Sequence, residues 1–185
     1  MKDINIYIVR HGEASTDWGV HQDPGLSLEG KSQAYICASG LAKFNSKSLQ
    51  ILSSPRKRAV ETAKPLGKLL NKPIRILESF NEIPSHRAKK KLQWLRGIAK
   101  LHSSKLPNYL QRWKEQVMLE LSMIDKDTII FSHFMVINAI FNELNNPKQF
   151  VSIQPGYTSI MHITKKENRL SYVGISNENI SKIMV

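Results

Sequence analysis

The hydrophobic pattern near the start of the chain predicts a strand that is buried on both faces. Ile4–Val9 is almost entirely apolar, and successive side chains of a strand lie on opposite faces. Such a run is typical of a parallel strand that is covered on both sides. The run stops at Arg10, His11 and Gly12, so a cation, an imidazole and a glycine follow its carboxyl end. In open α/β sheets, ligands bind at that edge.

The rest of the chain alternates between short apolar runs and segments with helical periodicity. The predicted strands are Ile4–Val9, Leu49–Leu52, Pro73–Leu77, Thr128–Phe131 and a C-terminal hairpin of Tyr157–Thr164 and Asn168–Gly174. The predicted helices are one that starts near Leu26 with Ser27 as N-cap, then Arg56–Leu70 with Pro55 in its first turn, Lys89–Leu101, Tyr109–Ile124 and Phe134–Leu144. We therefore predict a three-layer α/β sandwich with a mostly parallel central sheet, helices on both faces and a small helical cap insertion.

Length and composition indicate one globular domain over residues 1–185, with the cap at about residues 79–107. Hydrophobic residues make up 41% of the chain and charged residues 23%, which is ordinary for a soluble protein. No run of 18 apolar residues and no signal-peptide pattern is present, so we expect a cytoplasmic protein without a membrane partner. Cys37 is the only cysteine, which excludes an intrachain disulfide and a cysteine-based zinc site.

The formal net charge of +12 favours anionic partners, which include phosphorylated substrates, nucleic acids and acidic proteins. The sequence contains no known nucleic-acid motif and no basic stripe interleaved with aromatic residues. We therefore expect a small phosphorylated substrate and no nucleic acid, with a phosphoprotein as the other possible partner. The oligomeric state is not indicated by the sequence.

Three predicted strands end in polar, basic segments. These segments are Arg10-His11-Gly12, Ser53-Ser54-Pro55-Arg56-Lys57-Arg58 and Ser132-His133. If the three strands are neighbours in a parallel sheet, the segments meet at one edge. Burying several cations together is unfavourable because like charges repel and desolvation costs free energy. A bound dianion removes this difficulty, and phosphate is the obvious candidate.

These segments resemble the motifs of a known family. Arg10-His11-Gly12-Glu13 matches the signature of the histidine phosphatase superfamily, also called the phosphoglycerate-mutase-like superfamily. Ser53–Ala63 is similar to its second block, and Leu26-Ser27-Leu28-Glu29-Gly30 is similar to its Leu-Ser/Thr-x-x-Gly helix start. Asn81-Glu82-Ile83 looks like its acidic block, and Ser132-His133 resembles its second histidine motif.

The resemblance implies a two-step phosphoryl transfer that uses no metal ion and no cofactor. His11 would be the nucleophile and would form a phosphohistidine. Arg10, Arg58 and His133 would hold the phosphoryl oxygens. Glu82 would protonate the leaving group, and water would then hydrolyse the intermediate.

The physical chemistry of histidine agrees with this assignment for His11. A histidine attacks only as a neutral imidazole with one nitrogen free, and neighbouring cations lower its pKa. Its other ring nitrogen needs an acceptor, for which a backbone carbonyl near Gly12 is suitable. The helix that starts after His133 would add backbone N–H groups that bind the anion.

Several assignments stay open at this point. Glu78 lies four residues before Glu82 and is the alternative proton donor, while Arg56 competes with Arg58 as a phosphate ligand. Asp17 stands where many family members have an asparagine that contacts the phosphate.

The basic run His86–Lys91 has two interpretations. It is either a solvated helix start or a binding element for a second anionic group on the substrate.

We expect metal-independent hydrolysis of a phosphomonoester. The alternatives are a mutase of the phosphoglycerate type, a phosphoprotein phosphatase acting for example on phosphohistidine, and a non-enzymatic phosphate-binding module. Mutases of this family tend to be longer, which favours the hydrolase. The sequence does not indicate the physiological substrate.

Overall fold

The structure, a computed structural model, describes residues 3–16, 22–85 and 90–176. The strands are β1 Ile4–Arg10, β2 Gln50–Ser53, β3 Ile74–Ile76, β4 Thr128–Ser132, β5 Ile160–Lys166 and β6 Arg169–Ser176. The α-helices are α1 Leu28–Leu41, α2 Lys57–Leu70, α3 Lys91–Ala99, α4 Asn108–Ser122 and α5 Phe134–Asn145. Short 3-10 helices lie at Ala42–Phe44, Glu78–Phe80 and Ser103–Lys105. None of the helices in these ranges is long and apolar enough to cross a membrane.

The strands form one sheet in the order β3-β2-β4-β1-β5-β6. The pairs β2–β3, β2–β4 and β1–β4 are parallel, while β5 is antiparallel to both β1 and β6. The predicted mostly parallel sheet and its antiparallel C-terminal hairpin are therefore confirmed. Because β2, β4 and β1 are parallel neighbours, their carboxyl ends lie side by side at one edge of the sheet.

Helices cover both faces of this sheet. Tyr7 and Val9 lie in one apolar core together with buried residues of α1 and α2. Ile6 and Ile8 lie in a second core together with buried residues of α4 and α5. Successive residues of a strand project to opposite faces, so β1 needs apolar side chains at all four positions. The predicted three layers are confirmed.

Helix starts are set by polar groups that accept the first free N–H groups. Ser27 is the N-cap of α1, as predicted, and its hydroxyl oxygen accepts a hydrogen bond from the Gly30 N–H at 2.9 Å. Helix α2 starts one residue later than predicted, at Lys57, because Arg56 has extended backbone and acts as the N-cap. The Asp23 carboxylate accepts the Lys57 N–H at 3.1 Å. Pro55 therefore precedes the helix, and its predicted place in the first turn is wrong.

The segment predicted as a cap, residues 79–107, contains α3. Leu95 and Ile98 of α3 share an apolar core with Phe134 and Met135 at the start of α5. This contact places the segment next to the sheet edge where α5 begins. The bounds of the cap and the assignment of a single domain stay predictions.

Strand β5 starts three residues later than predicted. Thr158 has φ 57°, a left-handed conformation that a strand does not accommodate. Tyr157 and Thr158 therefore form a turn at the end of the sheet. This turn holds the Tyr157 ring against Arg10, with the Arg10 Cζ 4.3 Å from the ring centroid.

Candidate active site

The carboxyl ends of β1, β4 and β2 bring the three predicted segments together. The His11 N–H donates to the Ser132 carbonyl at 3.0 Å, and the Ser54 N–H donates to the Phe131 carbonyl at 2.9 Å. These hydrogen bonds extend the sheet pairing past the strands and fix the residues that follow them. The rings of His11 and His133 are 5.3 Å apart between centroids. The predicted convergence at one edge is thus observed.

Two glycines let the loop after β1 lie directly on the start of α1. A Cβ at Gly12 would lie 2.7 Å from the Gly30 carbonyl oxygen, and a Cβ at Gly30 would overlap the Glu13 carbonyl oxygen. A side chain at either position would push this loop away from the helix. The Gly12 N–H also donates to Thr62 Oγ1 of α2 at 3.0 Å. The loop is therefore held from two sides, which fixes the carbonyl that orients the His11 ring.

The His11 imidazole is held as a neutral base with one unprotonated nitrogen. Its Nδ1 lies 2.7 Å from the Gly12 carbonyl oxygen, which can only accept a hydrogen bond, so Nδ1 carries the proton. This is the acceptor that the sequence predicts. The Nε2 atom accepts from the Arg58 Nε–H at 3.0 Å. Burial, Arg58 and Arg10 lower the pKa of His11 well below its ordinary value of 6.5. The Nε2 lone pair is thereby kept available for attack on an electrophile.

His133 is fully buried and is held at both ring nitrogens. Its Nδ1 lies 3.2 Å from Arg58 Nη2, and its Nε2 lies 2.7 Å from Ser54 Oγ. Burial, Arg58 and His11 lower the pKa of His133 well below 6.5. The ring is therefore neutral at pH 7, with its Nδ1 edge turned towards the same guanidinium that contacts His11.

Arg58 links the catalytic candidates. It lies in the first turn of α2, and its guanidinium contacts His11, His133 and Glu82, the last with Nη2 3.5 Å from Oε2. Burial lowers the pKa of Arg58, while the Glu82 charge opposes that change. A guanidinium is a strong base with five N–H donors, so it stays charged and suits an anion with several oxygens.

Arg56, the competing arginine, is placed differently. Its Nε donates to the Asn81 Oδ1 atom at 2.9 Å. Among the described residues, Arg58 rather than Arg56 contacts both imidazoles. Arg58, the arginine named by the resemblance, is therefore the one that the structure places beside the histidines.

Arg10 is the second buried guanidinium at this edge, with 2% of its surface exposed. Its Nη1 donates to the Pro155 carbonyl at 2.7 Å, and its Cζ lies 4.3 Å from the Tyr157 ring centroid and 5.3 Å from that of Phe134. Burial lowers the pKa of Arg10 to about 10, so the group remains a cation at neutral pH. Two aromatic rings and a carbonyl fix this charge in one orientation.

Glu82, rather than Glu78, is brought to the histidines. Its Oε2 lies 3.6 Å from the His133 Nδ1, and its side chain is 11% exposed. Burial raises the pKa of Glu82, and the charge of Arg58 opposes the rise. Glu78 is exposed and accepts a hydrogen bond from the Asn81 side chain at 3.1 Å. A carboxyl group with a raised pKa is suited to donate a proton near neutral pH.

His11, Glu82 and His133 are also the one group, within the described ranges, whose ligand atoms are spaced for a metal ion, lying within 4.8 Å of one another. Arg58 contacts all three of these residues. Its charge repels a metal cation, and its N–H groups already engage the histidine lone pairs. The cluster therefore fits an anion better than a cation.

Two features singled out in the sequence lie outside the described residues. Asp17 is one of them, and residues 86–89 of the basic run are the other. Of that run, Lys90 is the N-cap of α3 and Lys91 is its first residue. The interpretations of Asp17 and of the basic run stay predictions.

The sequence did not single out the contacts of three further residues. These contacts are the hydrogen bond between Ser54 and His133, the hydrogen bond from the Gly12 N–H to Thr62, and the stacking of Arg10 over the Tyr157 ring. Ser54 and Thr62 lie inside the second motif block, which points to the segment but not to the partner atoms. Tyr157 lies in a stretch predicted as a strand, so nothing in the pattern indicated it.

The two buried histidines predict a loss of stability in mild acid. Their folded-state pKa values lie below 6.5, so the unfolded chain binds protons that the folded chain does not. As the pH falls below 6.5, the free energy of unfolding should decrease by up to about 1.4 kcal/mol per pH unit for each histidine. Glu82 acts oppositely: its raised pKa stabilises the fold at low pH, and that contribution is lost as the pH rises. Two histidines outweigh one carboxyl group.

Urea unfolding at several pH values between 5 and 8 measures this effect. The variant His133→Gln should show a shallower fall on the acid side, because one of the two neutral imidazoles is gone. A free energy of unfolding that does not change from pH 7 to pH 5 would contradict the buried neutral histidines.

Comparisons with known proteins place this site in a family. A family model described as histidine phosphatase superfamily (branch 1) matches residues 6–178. The human 6-phosphofructo-2-kinase/fructose-2,6-bisphosphatase 1 is 35% identical over 81 residues, which cover 43% of this chain and 16% of that protein. The chain thus matches about a sixth of the length of this curated relative.

Solved structures share the fold over nearly the whole chain. A phosphoserine phosphatase from Entamoeba histolytica in complex with 3-phosphoglyceric acid has a TM-score of 0.73 at 21% identity, covering 94% of this chain and 97% of that one. A phosphoglycerate mutase from Bacillus anthracis has a TM-score of 0.71 at 14% identity, covering 92% of each chain. At these identities the likeness concerns the fold. Because the family model matches almost the entire chain, the protein belongs to branch 1 of the histidine phosphatase superfamily, and the family predicted from the sequence is confirmed.

Proposed function

We propose that the protein hydrolyses phosphomonoesters through a phosphohistidine on Nε2 of His11, without a metal ion. The observation that carries this proposal is the neutral His11 ring, whose Nε2 faces a buried guanidinium beside a second imidazole. This arrangement supplies a nucleophile and an anion site at the same point. A phosphate-binding module would need the cations but not an imidazole with a fixed tautomer.

In the first step, the phosphoryl group binds among Arg10, Arg58 and His133. A phosphoryl oxygen takes over the Arg58 N–H that His11 Nε2 accepts in the free site, which releases the nitrogen lone pair for attack on phosphorus. The bond between phosphorus and the leaving oxygen breaks, and the proton of Glu82 passes to that oxygen. Charge on the transferring group spreads over its outer oxygens, where fixed cations and the first N–H groups of α5 stabilise it.

In the second step, water attacks the phosphorus of the phosphohistidine. Glu82, now a carboxylate, accepts a proton from this water as the new P–O bond forms. The P–N bond breaks, its electron pair returns to His11 Nε2, and inorganic phosphate leaves. The protonated Glu82 and the neutral imidazole are then restored.

The names of the relatives support a small phosphorylated substrate. The human relative includes a fructose-2,6-bisphosphatase, and the Entamoeba histolytica structure is a phosphoserine phosphatase bound to 3-phosphoglyceric acid. We propose a phosphorylated metabolite of that general size as the substrate. The Bacillus anthracis neighbour supports a phosphoglycerate mutase as the second candidate function.

Hydrolysis of p-nitrophenyl phosphate with excess chelator tests the proposed function. We expect steady turnover that chelator does not reduce and that added divalent metal does not raise. A panel of phosphorylated metabolites then separates the candidates, because a hydrolase releases inorganic phosphate while a mutase interconverts isomers. Activity that requires an added metal ion would contradict the proposed mechanism.

Replacing Glu82 with glutamine should slow hydrolysis of an alkyl phosphate by about a hundredfold or more, since general acid catalysis contributes roughly 10²–10⁴-fold. The effect on p-nitrophenyl phosphate should be much smaller, because its leaving group departs without a proton. In the wild-type protein the rate should fall as the pH rises through the raised pKa of Glu82. Glu82→Gln should lack this high-pH decrease.

Glu78→Gln is the matched control, because it makes the same chemical change at an exposed carboxylate four residues away. It should leave the rate and the pH profile unchanged. Loss of the high-pH decrease in the Glu78 variant alone would show that the proton donor is Glu78.

A further inference from the structure

Ser54 and His133 follow neighbouring parallel strands and meet in the interior. Ser53 pairs with Phe131 across β2 and β4, so Ser54 is level with the residue before His133. Neither side chain has any exposed surface. The Ser54 Oγ lies 2.7 Å from the His133 Nε2, a short distance for a hydrogen bond to nitrogen.

The partners on the two edges of the His133 ring determine where its single proton lies. A neutral imidazole has one N–H, and a guanidinium can only donate. Since Arg58 Nη2 lies 3.2 Å from Nδ1, the Nδ1 atom accepts and the proton lies on Nε2. The Nε2–H therefore donates to the Ser54 hydroxyl oxygen.

The Ser54 hydroxyl is itself oriented by the backbone. The Arg56 N–H donates to Ser54 Oγ at 3.2 Å, which occupies one of its two lone pairs. The other lone pair is left for the Nε2–H of His133. Because Arg56 is the N-cap of α2, the helix start fixes the acceptor that the ring uses.

We propose that Ser54 is a positioning residue for His133: its hydroxyl holds the Nε2–H edge of the ring, so that Nδ1 stays an acceptor for the Arg58 guanidinium that binds the phosphoryl group. This inference rests on the proposed function, in which Arg58 binds the phosphoryl group beside His133. Without the hydroxyl, a buried Nε2–H loses its acceptor, and the ring either turns over or changes tautomer. Both changes remove the acceptor that Nδ1 offers to Arg58 Nη2, and Arg58 is the guanidinium that holds the phosphoryl group.

The test combines kinetics with a spectroscopic signature. In Ser54→Ala, kcat/KM for p-nitrophenyl phosphate should fall about threefold to tenfold, as expected for one buried hydrogen bond. The ¹⁵N shifts of a histidine distinguish its tautomers, so the His133 signals should report an Nε2–H ring in the wild-type protein. The same signals should show a mixed or reversed tautomer in Ser54→Ala.

Ser53→Ala is the matched control, because Ser53 is an equally buried serine whose hydroxyl donates only to the Ser54 carbonyl among the described residues. It should keep the His133 signals and most of the activity. Unchanged His133 signals in Ser54→Ala, or an equal fall of kcat/KM in both variants, would overturn the inference. The tautomer measurement needs no turnover, so a protein that hydrolyses no phosphomonoester would refute the proposed function separately.

Discussion

Replacing His11 with alanine is expected to abolish hydrolysis of p-nitrophenyl phosphate, with a fall in kcat of about 10⁴-fold or more, as is typical when a covalent nucleophile is lost. The physical reason is that Nε2 of His11 is the ring nitrogen without a proton, since Nδ1 carries the proton and donates it to the Gly12 carbonyl. The anion site itself should survive. Arg10 and Arg58 remain, so the variant should still bind orthovanadate, measured as a rise in melting temperature.

The matched control for this variant is His102→Asn. His102 lies at the 3-10 helix Ser103–Lys105, where its side chain caps the first turn, a role that asparagine can also fill. The activity of His102→Asn should equal that of the wild-type protein. Wild-type activity in His11→Ala would show that His11 is not the nucleophile.

Replacing Arg58 with methionine is expected to lower kcat/KM by about 10³- to 10⁵-fold, the range seen when an arginine that stabilises a transferring phosphoryl group is removed. Arg58 is the one described side chain that contacts His11, His133 and Glu82 together. Its removal takes away a phosphoryl ligand and the hydrogen bond to the His11 Nε2.

This variant should also lose the stabilisation by orthovanadate that His11→Ala retains. The comparison separates a residue that binds the phosphoryl group from one that attacks it. Arg58→Lys should recover only part of the activity, because an ammonium group cannot make two parallel hydrogen bonds.

The exposed Arg112 of α4 is the matched control for Arg58. Arg112→Met removes the same charge from an exposed side chain that, within the described ranges, does not contact His11, His133 or Glu82, and it should leave kcat/KM unchanged. Orthovanadate binding of normal strength in Arg58→Met would show that this guanidinium is not a phosphate ligand.

The strands could be predicted from the sequence because their signal is local. Ile4–Val9 carries its apolar residues on both faces, and the structure places it between β4 and β5 with helices on either side. The sequence predicts the start of α2 one residue early, because the first N–H of the helix is accepted by Asp23, which lies 34 residues away in the chain. Long-range contacts of this kind do not alter the hydrophobic periodicity of the sequence, so the pattern does not indicate them.

The site was predictable for residues that belong to contiguous motifs. His11, Arg58 and His133 lie in such motifs, and the structure brings them into contact. The sequence favours Glu82 over Glu78 only through its resemblance to the acidic block, because the burial of each carboxylate is set by the tertiary fold: the Glu82 side chain is 11% exposed, while Glu78 is exposed. The Arg10–Tyr157 contact was not predictable either, because a left-handed turn between distant segments creates it.

The most direct test of the central claim is to trap the intermediate. The wild-type protein is mixed with a phosphomonoester, quenched in alkali after a fraction of one turnover, and digested for tandem mass spectrometry. We expect a base-stable, acid-labile phosphoryl group on His11 that is absent from His11→Ala. A phosphoryl group on another residue, or turnover with no phosphorylated protein at any time point, would contradict the phosphohistidine mechanism.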